Sequence, residues 1–315
     1  MMKTRQRVFP AIALLLMAMV LTACSGTQRA LHDMAISHET SKAGMEQDSV
    51  EIEAGRIELL RSEEGEGREP LVLVHGFAAN KETWLRLSQQ LWDDFDLIAP
   101  DLPGHGDSVQ SRDLSYRIAV QAQRLGAILD RLDAERIHLA GNSMGGAIAT
   151  VYAADNPDRV ISLSLISTAG IHEHPAELDR LIDEEGRNPL IIDDSSEYPR
   201  LIDFVLEKRP FVPWPISSVM ARDFAANHEI NQKIFQDIRR DVDSDFRPIL
   251  SRIEVPTLVL WGAEDRVINV KNASIVANAL PDSRLEIMNG IGHAPMIEAP
   301  ARTAELIRAI AQESR

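Results

Sequence analysis

The sequence predicts an α/β protein: a mostly parallel β-sheet with helices on both faces, interrupted once by a helical insertion. Three observations carry this. Short apolar runs such as Leu71-Val72-Leu73-Val74 and Thr257-Leu258-Val259-Leu260-Trp261 offer no polar face, as strands buried on both sides require. These runs alternate with longer helical stretches, and strand–helix alternation implies βαβ units. The alternation fails between about Gly170 and Ile249, a charged, mostly helical stretch with seven prolines, and then resumes.

The chain opens with Lys3, Arg5 and Arg7, followed by the apolar run Val8 to Leu21. That run is too short to span a bilayer comfortably and has the layout of an export signal. It ends in Leu21-Thr22-Ala23-Cys24, and Cys24 is the only cysteine. A lone cysteine in an exported chain has no intramolecular disulfide partner. The four residues resemble the lipobox of bacterial lipoproteins. The resemblance implies removal of residues 1–23 as a signal peptide, with lipid on the Cys24 sulfur and on the new N-terminus. Ser25 in place of Asp resembles lipoproteins sorted to the outer membrane of the cell envelope. Residues 24–49 are polar, without sustained period, and predict a flexible tether.

From Val50 the pattern tightens. Val50-Glu51-Ile52-Glu53 alternates, Gly55 breaks it, and Arg56 to Leu60 resumes it, which predicts a β-hairpin. Glu63 to Arg68 is a turn. Strands are expected at Leu71–Val74, Leu97–Ala99, Ile137–Ala140 and Val160–Ile166, with helices over Trp84–Leu91, Tyr116–Leu132 and Met144 to about Ala154. After the insertion come the Thr257 strand, a helix over Val270–Leu280, a strand over Arg284–Met288 and a last helix from about Ala301. The reading is one core, residues 50–170 and 250–315, with a helical cap at 171–249. Such a cap would sit over the carboxyl ends of the strands, where open α/β sheets bind ligands.

Charge excludes some functions. The chain has 33 Lys and Arg against 48 Asp and Glu, a net charge of −15. No basic cluster lies beyond the first seven residues, so nucleic acid is not an expected partner. His172 and His174 are half of a metal-ligand pattern with no second half, and no metal or other cofactor is expected.

Gly141-Asn142-Ser143-Met144-Gly145 carries the chemistry. A Gly-x-Ser-x-Gly match alone is weak, because glycine and serine are common. Here it sits between a predicted strand and a predicted helix, the setting of a nucleophile elbow. The helix N-terminus favours developing negative charge beside the serine. A serine hydroxyl needs a base, and the base an orienting acid. Of nine histidines, His293 in Gly290-Ile291-Gly292-His293-Ala294-Pro295 follows the last strand, at the same sheet edge as Ser143. The acid is expected in Trp261-Gly262-Ala263-Glu264-Asp265-Arg266, where Glu264 and Asp265 both qualify. The oxyanion hole needs two backbone N–H groups: Met144, after the nucleophile, and one from His75-Gly76-Phe77, for which Phe77 is chosen. In the insertion, Pro210-Phe211-Val212-Pro213-Trp214-Pro215-Ile216 is apolar and stiffened by proline; it is either a lid, with Phe211 and Trp214 as candidate substrate contacts, or a segment that packs the cap onto the core.

Together with Asp101-Leu102-Pro103-Gly104-His105-Gly106-Asp107-Ser108, these pieces resemble the α/β-hydrolase superfamily in the right order over about residues 50–312. The family pattern favours Asp265 over Glu264 as the acid. Within the superfamily, His75-Gly76-Phe77-Ala78-Ala79-Asn80-Lys81-Glu82-Thr83-Trp84 and the elbow resemble the group of bacterial "lipase 1" enzymes and monoacylglycerol lipases. That likeness implies a carboxylic ester hydrolase acting on lipids or small esters, held at a membrane by its N-terminal lipid. Carbon–carbon bond hydrolysis, perhydrolysis, or a catalytically silent lipoprotein binding protein are the alternatives on the same fold.

Overall fold

A computed structural model of the chain describes residues 9–242 and 245–313, with side chains for 25–241 and 245–313. Residues 1–8 of the expected signal peptide therefore lie outside the described residues, and so do the side chains of residues 9–24, Cys24 among them.

Eight strands form one sheet in the order β1-β2-β4-β3-β5-β6-β7-β8. The hairpin β1 (Met45–Ile52) and β2 (Gly55–Ser62) is antiparallel and joins the sheet through an antiparallel pairing of β2 with β4 (Phe95–Pro100). The other pairings are parallel: β4 with β3 (Glu69–Val74), β3 with β5 (Ile137–Asn142), then β6 (Val160–Ile166), β7 (Thr257–Gly262) and β8 (Ser283–Met288). This is the mostly parallel sheet that the strand–helix alternation predicts, and it fits the α/β-hydrolase fold that the resemblance implies.

Side-chain alternation sorts the central strands into two cores. Val72, Val74, Leu139, Leu163 and Val259 face α3 (Ile118–Arg131), α4 (Met144–Asp155) and α10 (Lys271–Ala279). Leu71, Leu73, Ala140, Ile166, Leu258 and Leu260 face α2 (Leu85–Leu91) and α12 (Pro300–Glu313). Each fully buried leucine or valine contributes about 1.5–3 kcal/mol, so burial on both faces dominates the stability of the sheet.

Residues 24–42 differ from the flexible tether expected. They belong to one long helix, α1 (Phe9–Lys42), and β1 starts three residues later at Met45. Contacts distant in sequence supply the reason. Nη1 and Nη2 of Arg29 both bond the Asp223 carboxylate, Arg222 donates to Gln28, and Gln89 of α2 donates to Glu39 at 2.8 Å. No proline or glycine interrupts residues 27–42, and Gly44 ends the helix with φ +64°. Among the described residues, no helix is long and apolar enough to cross a membrane.

Between β6 and β7 lie α5 (Glu177–Glu185), α6 (Tyr198–Val205), α7 (Ile216–Ala226), α8 (His228–Val242) and the short α9 (Arg247–Leu250). Ile230 and Ile234 of α8, with Phe246, join the core cluster that holds Leu102 and Tyr116. Two α8 carboxylates fasten the insertion to the start of α3: Asp237 accepts from the Tyr116 amide and Asp241 from the Ile118 amide, both at 2.8 Å. The bond to Ile118 satisfies the first free N–H of α3, and the bond to Tyr116 holds the residue before its N-cap. Burial works against the Asp237 charge, but Lys233 and the Tyr116 amide outweigh it and hold the carboxyl below its ordinary range.

Candidate active site

The serine elbow is built by strand β5 running into α4. Ser143 sits between them at φ 55° and ψ −118°, a conformation costly for a residue with a side chain. The surroundings leave it no alternative. Its N–H donates to the Ile166 carbonyl at 3.0 Å, and its carbonyl accepts from Ala147 and Ala169. A side chain at 145 would place its Cβ 2.2 Å from the Val74 carbonyl oxygen, so only glycine lets α4 approach β3 this closely. A Cβ on Gly76 would lie 3.2 Å from the Ser143 Cβ, which brings the turn before Phe77 against the serine. Met144 is the first residue of α4, so its N–H has no carbonyl one turn earlier in the helix.

Asp265 and His293 meet across the loops after β7 and β8. His293 Nδ1 lies 2.8 Å from Asp265 Oδ2, with both side chains almost fully buried. The other carboxylate oxygen, Oδ1, accepts from the amides of Val267 and Ile268 at 2.8 and 2.9 Å. With Oδ1 accepting from two amides and Oδ2 facing the ring, Nδ1 of His293 is the donor and Nε2 carries the lone pair. Glu264 does not reach the ring; its carboxylate accepts from the Ile291 amide at 2.9 Å.

Asn142 connects the two halves of the site. Its side-chain amide donates to the His293 carbonyl and to the Ile166 carbonyl, each at 3.1 Å. The residue beside the serine thus holds the backbone of the histidine. Sequence reasoning passed over Asn142, although a polar residue closing the strand directly before the serine was the available signal.

The turn that carries Phe77 is tied down by buried polar groups. The Lys81 ammonium, 1% exposed, lies 2.7 Å from both Asp101 and Asp107 and 3.1 Å from Glu82. Burial would lower it, but Asp101 and Glu82 beside it raise it, so Lys81 stays charged. The Leu102 amide donates to His75 Nε2 at 3.0 Å, so His75 keeps its proton on Nδ1, which donates to the Gly76 carbonyl. Burial lowers His75 to about 4, and burial together with the neighbouring His75 ring lowers His105 to about 3. Both rings are neutral braces between the loops after β3 and β4. Phe77 itself packs against His105 and Phe235.

Phe211 and Trp214 lie apart from this cluster. They are 90% and 72% exposed, on the surface of the loop between α6 and α7.

Comparison with known proteins bears on the fold and the family. The family model described as "alpha/beta hydrolase fold" matches residues 69–190. Lipase 1 of Psychrobacter immobilis is 34% identical over 87% of this chain and 86% of its own length. Monoacylglycerol lipase ABHD6 of Rattus norvegicus is 31% identical over 76% of this chain and 75% of its own length. The crystal structure of a membrane phospholipase A, described as a bacterial virulence factor, superposes with a TM-score of 0.90 at 34% identity, covering 98% of this chain and 99% of that one.

Proposed function

Because the chain belongs to the α/β-hydrolase family, we propose that it is a carboxylic ester hydrolase of the lipase/esterase group, with Ser143, His293 and Asp265 as its catalytic residues. One observation carries the assignment: the Asp265–His293 hydrogen bond stands at the same sheet edge as a strained serine elbow, and Asn142 bridges the two.

Ser143 Oγ attacks the ester carbonyl while its proton moves to His293 Nε2. The carbonyl π pair becomes an oxyanion, held by the N–H groups of Phe77 and Met144; loss of one such donor costs on the order of 100- to 1000-fold in turnover. Collapse breaks the bond to the alcohol oxygen, which takes the proton back from Nε2 and leaves an acyl-serine. Water then attacks, giving its proton to His293, and the second collapse releases the carboxylic acid and restores the serine. Asp265 holds the ring in the required tautomer and stabilises the imidazolium.

The substrate is an acylglycerol-type lipid or a related ester, as in the lipases this chain resembles. Residues 171–249 act as the cap, and the exposed Phe211 and Trp214 meet acyl chains at its surface. Residues 1–23 are a signal peptide, and the lipid on Cys24 holds the enzyme on the outer membrane. The likeness to a membrane phospholipase supports work at a membrane.

The test is hydrolysis of p-nitrophenyl esters from acetate to palmitate, with Ser143→Ala alongside. Activity that grows with chain length and vanishes in Ser143→Ala is the expected result. A peak at acetate would overturn the acylglycerol assignment, and activity surviving in folded Ser143→Ala would overturn the mechanism.

A further inference from the structure

The main chain around His293 is held in an unusual way. Three consecutive amides donate to three different parts of the fold. Ile291 N–H goes to the Glu264 carboxylate at 2.9 Å, Gly292 N–H to Glu298 Oε1 at 3.0 Å, and His293 N–H to the Val205 carbonyl at 2.9 Å. Glu264 lies after β7, Glu298 closes the short helix α11 (Pro295–Glu298), and Val205 is the last residue of α6 in the insertion.

Glu298 does more than hold Gly292. Its second oxygen, Oε2, accepts from the amides of Glu207 at 2.9 Å and Lys208 at 2.6 Å. One carboxylate therefore binds three backbone N–H groups from two chain segments about 85 residues apart, and carboxylate–amide bonds are the stronger, charge-assisted kind. The segments are in direct contact. A Cβ on Gly292 would fall 2.8 Å from both the Val205 oxygen and the Glu207 nitrogen, and 3.1 Å from Glu298 Oε1. Arg266, next to Asp265, also pairs with Glu207. The exit of α6 is thus fixed to the histidine loop on one side and to the aspartate loop on the other.

The geometry points to Glu298 as a positioning residue: its carboxylate locks the loop of His293 to the exit of the insertion helix α6, so that the base keeps its angle only while that exit stays in place. Glu298 touches neither substrate nor the reacting atoms. It acts through the backbone of Gly292, one residue before the ring. A base displaced by about 1 Å is enough to cost on the order of 100-fold in rate. The segment locked this way, residues 205–208, leads directly into the exposed loop of Phe211 and Trp214. The inference rests on His293 being the catalytic base, as proposed above.

Glu298→Gln keeps the shape but replaces one acceptor oxygen by an NH₂ that faces amide donors; Glu298→Ala removes the lock altogether. Both are compared with wild type and Ser143→Ala for kcat and KM on p-nitrophenyl butyrate. Active sites are counted by fluorophosphonate labelling of Ser143, and folding is followed by the thermal midpoint. The expected result is a 10- to 100-fold fall in kcat per folded molecule for Glu298→Gln and a larger fall for Glu298→Ala. KM should stay within twofold, and fluorophosphonate capture should slow in proportion to kcat. Unchanged kcat, or a loss that matches only the fraction of unfolded protein, would overturn the positioning role. Turnover persisting in Ser143→Ala would instead remove the premise, so the two failures are told apart.

Discussion

At the scale of single residues, the candidate site is legible in the sequence where a side chain makes its own pattern. Ser143 stands in a glycine frame between strand and helix, and Asp265 and His293 stand in the loops that follow β7 and β8. Asn142, Glu264 and Glu298 were not legible, because their partners are backbone groups of distant segments, which no residue spacing encodes. The buried histidines carry a prediction of their own. His75 and His105 are lowered by burial to about 4 and about 3. In the unfolded chain they would titrate near the ordinary value of about 6.5. As pH falls below that value the unfolded state takes up protons that the folded state refuses, so stability falls with falling pH. The slope is about 1.4 kcal/mol per pH unit for each ring, down to about pH 4, where His75 begins to titrate in place. Thermal midpoints measured from pH 8 to 4 should be flat above about pH 7 and drop below it, and His105→Asn should drop less steeply. Equal slopes in the two proteins would show that His105 is not held neutral.

At the scale of elements, strands buried on both faces and their partner helices announced themselves through continuous apolar runs, and observed boundaries differ from the expected ones by a few residues at most. Tyr116 and Arg117 fall outside α3, which starts at Ile118, because Asp237 and Asp241 of α8 take the amides at that point. Helix α1 was hidden for a related reason: its polar residues 25–42 have no strong period, and its order comes from partners on α7 and α2. The elbow gives a test at this scale. In Gly145→Ala the new Cβ would lie 2.2 Å from the Val74 oxygen and 2.5 Å from the His75 oxygen, both backbone atoms that cannot swing away. Overpacking of this kind costs about 1–3 kcal/mol. Both a lower denaturation midpoint and loss of fluorophosphonate labelling are expected. A wild-type midpoint with full labelling would mean that β3 and α4 separate freely.

For the whole molecule, the open matter is how the catalytic body meets its substrate. Replacing Cys24 by Ser should prevent lipid attachment, so the protein, made in a bacterium that processes lipoproteins, should leave the membrane fraction while its activity on soluble butyrate ester is kept. Mass spectrometry of the wild-type N-terminus should show the added lipid. A Cys24→Ser protein that stays with the membrane to the same extent would show that the anchor is elsewhere.

Helix α1 gives that anchor an unexpected geometry. From Cys24 to Gln28, which accepts from Arg222 of α7, is one helical turn, or about 6 Å. A lipid on Cys24 would therefore hold the body at a fixed stand-off from the bilayer, like a foot rather than a leash. An enzyme on a coil of the same length samples a hemisphere and turns freely within it. One on a rod fastened at both core and insertion keeps the same face toward the surface as it diffuses. Its encounters with substrate are then set by the two-dimensional density of lipid beneath it, and lengthening the chain outside the helix would change little.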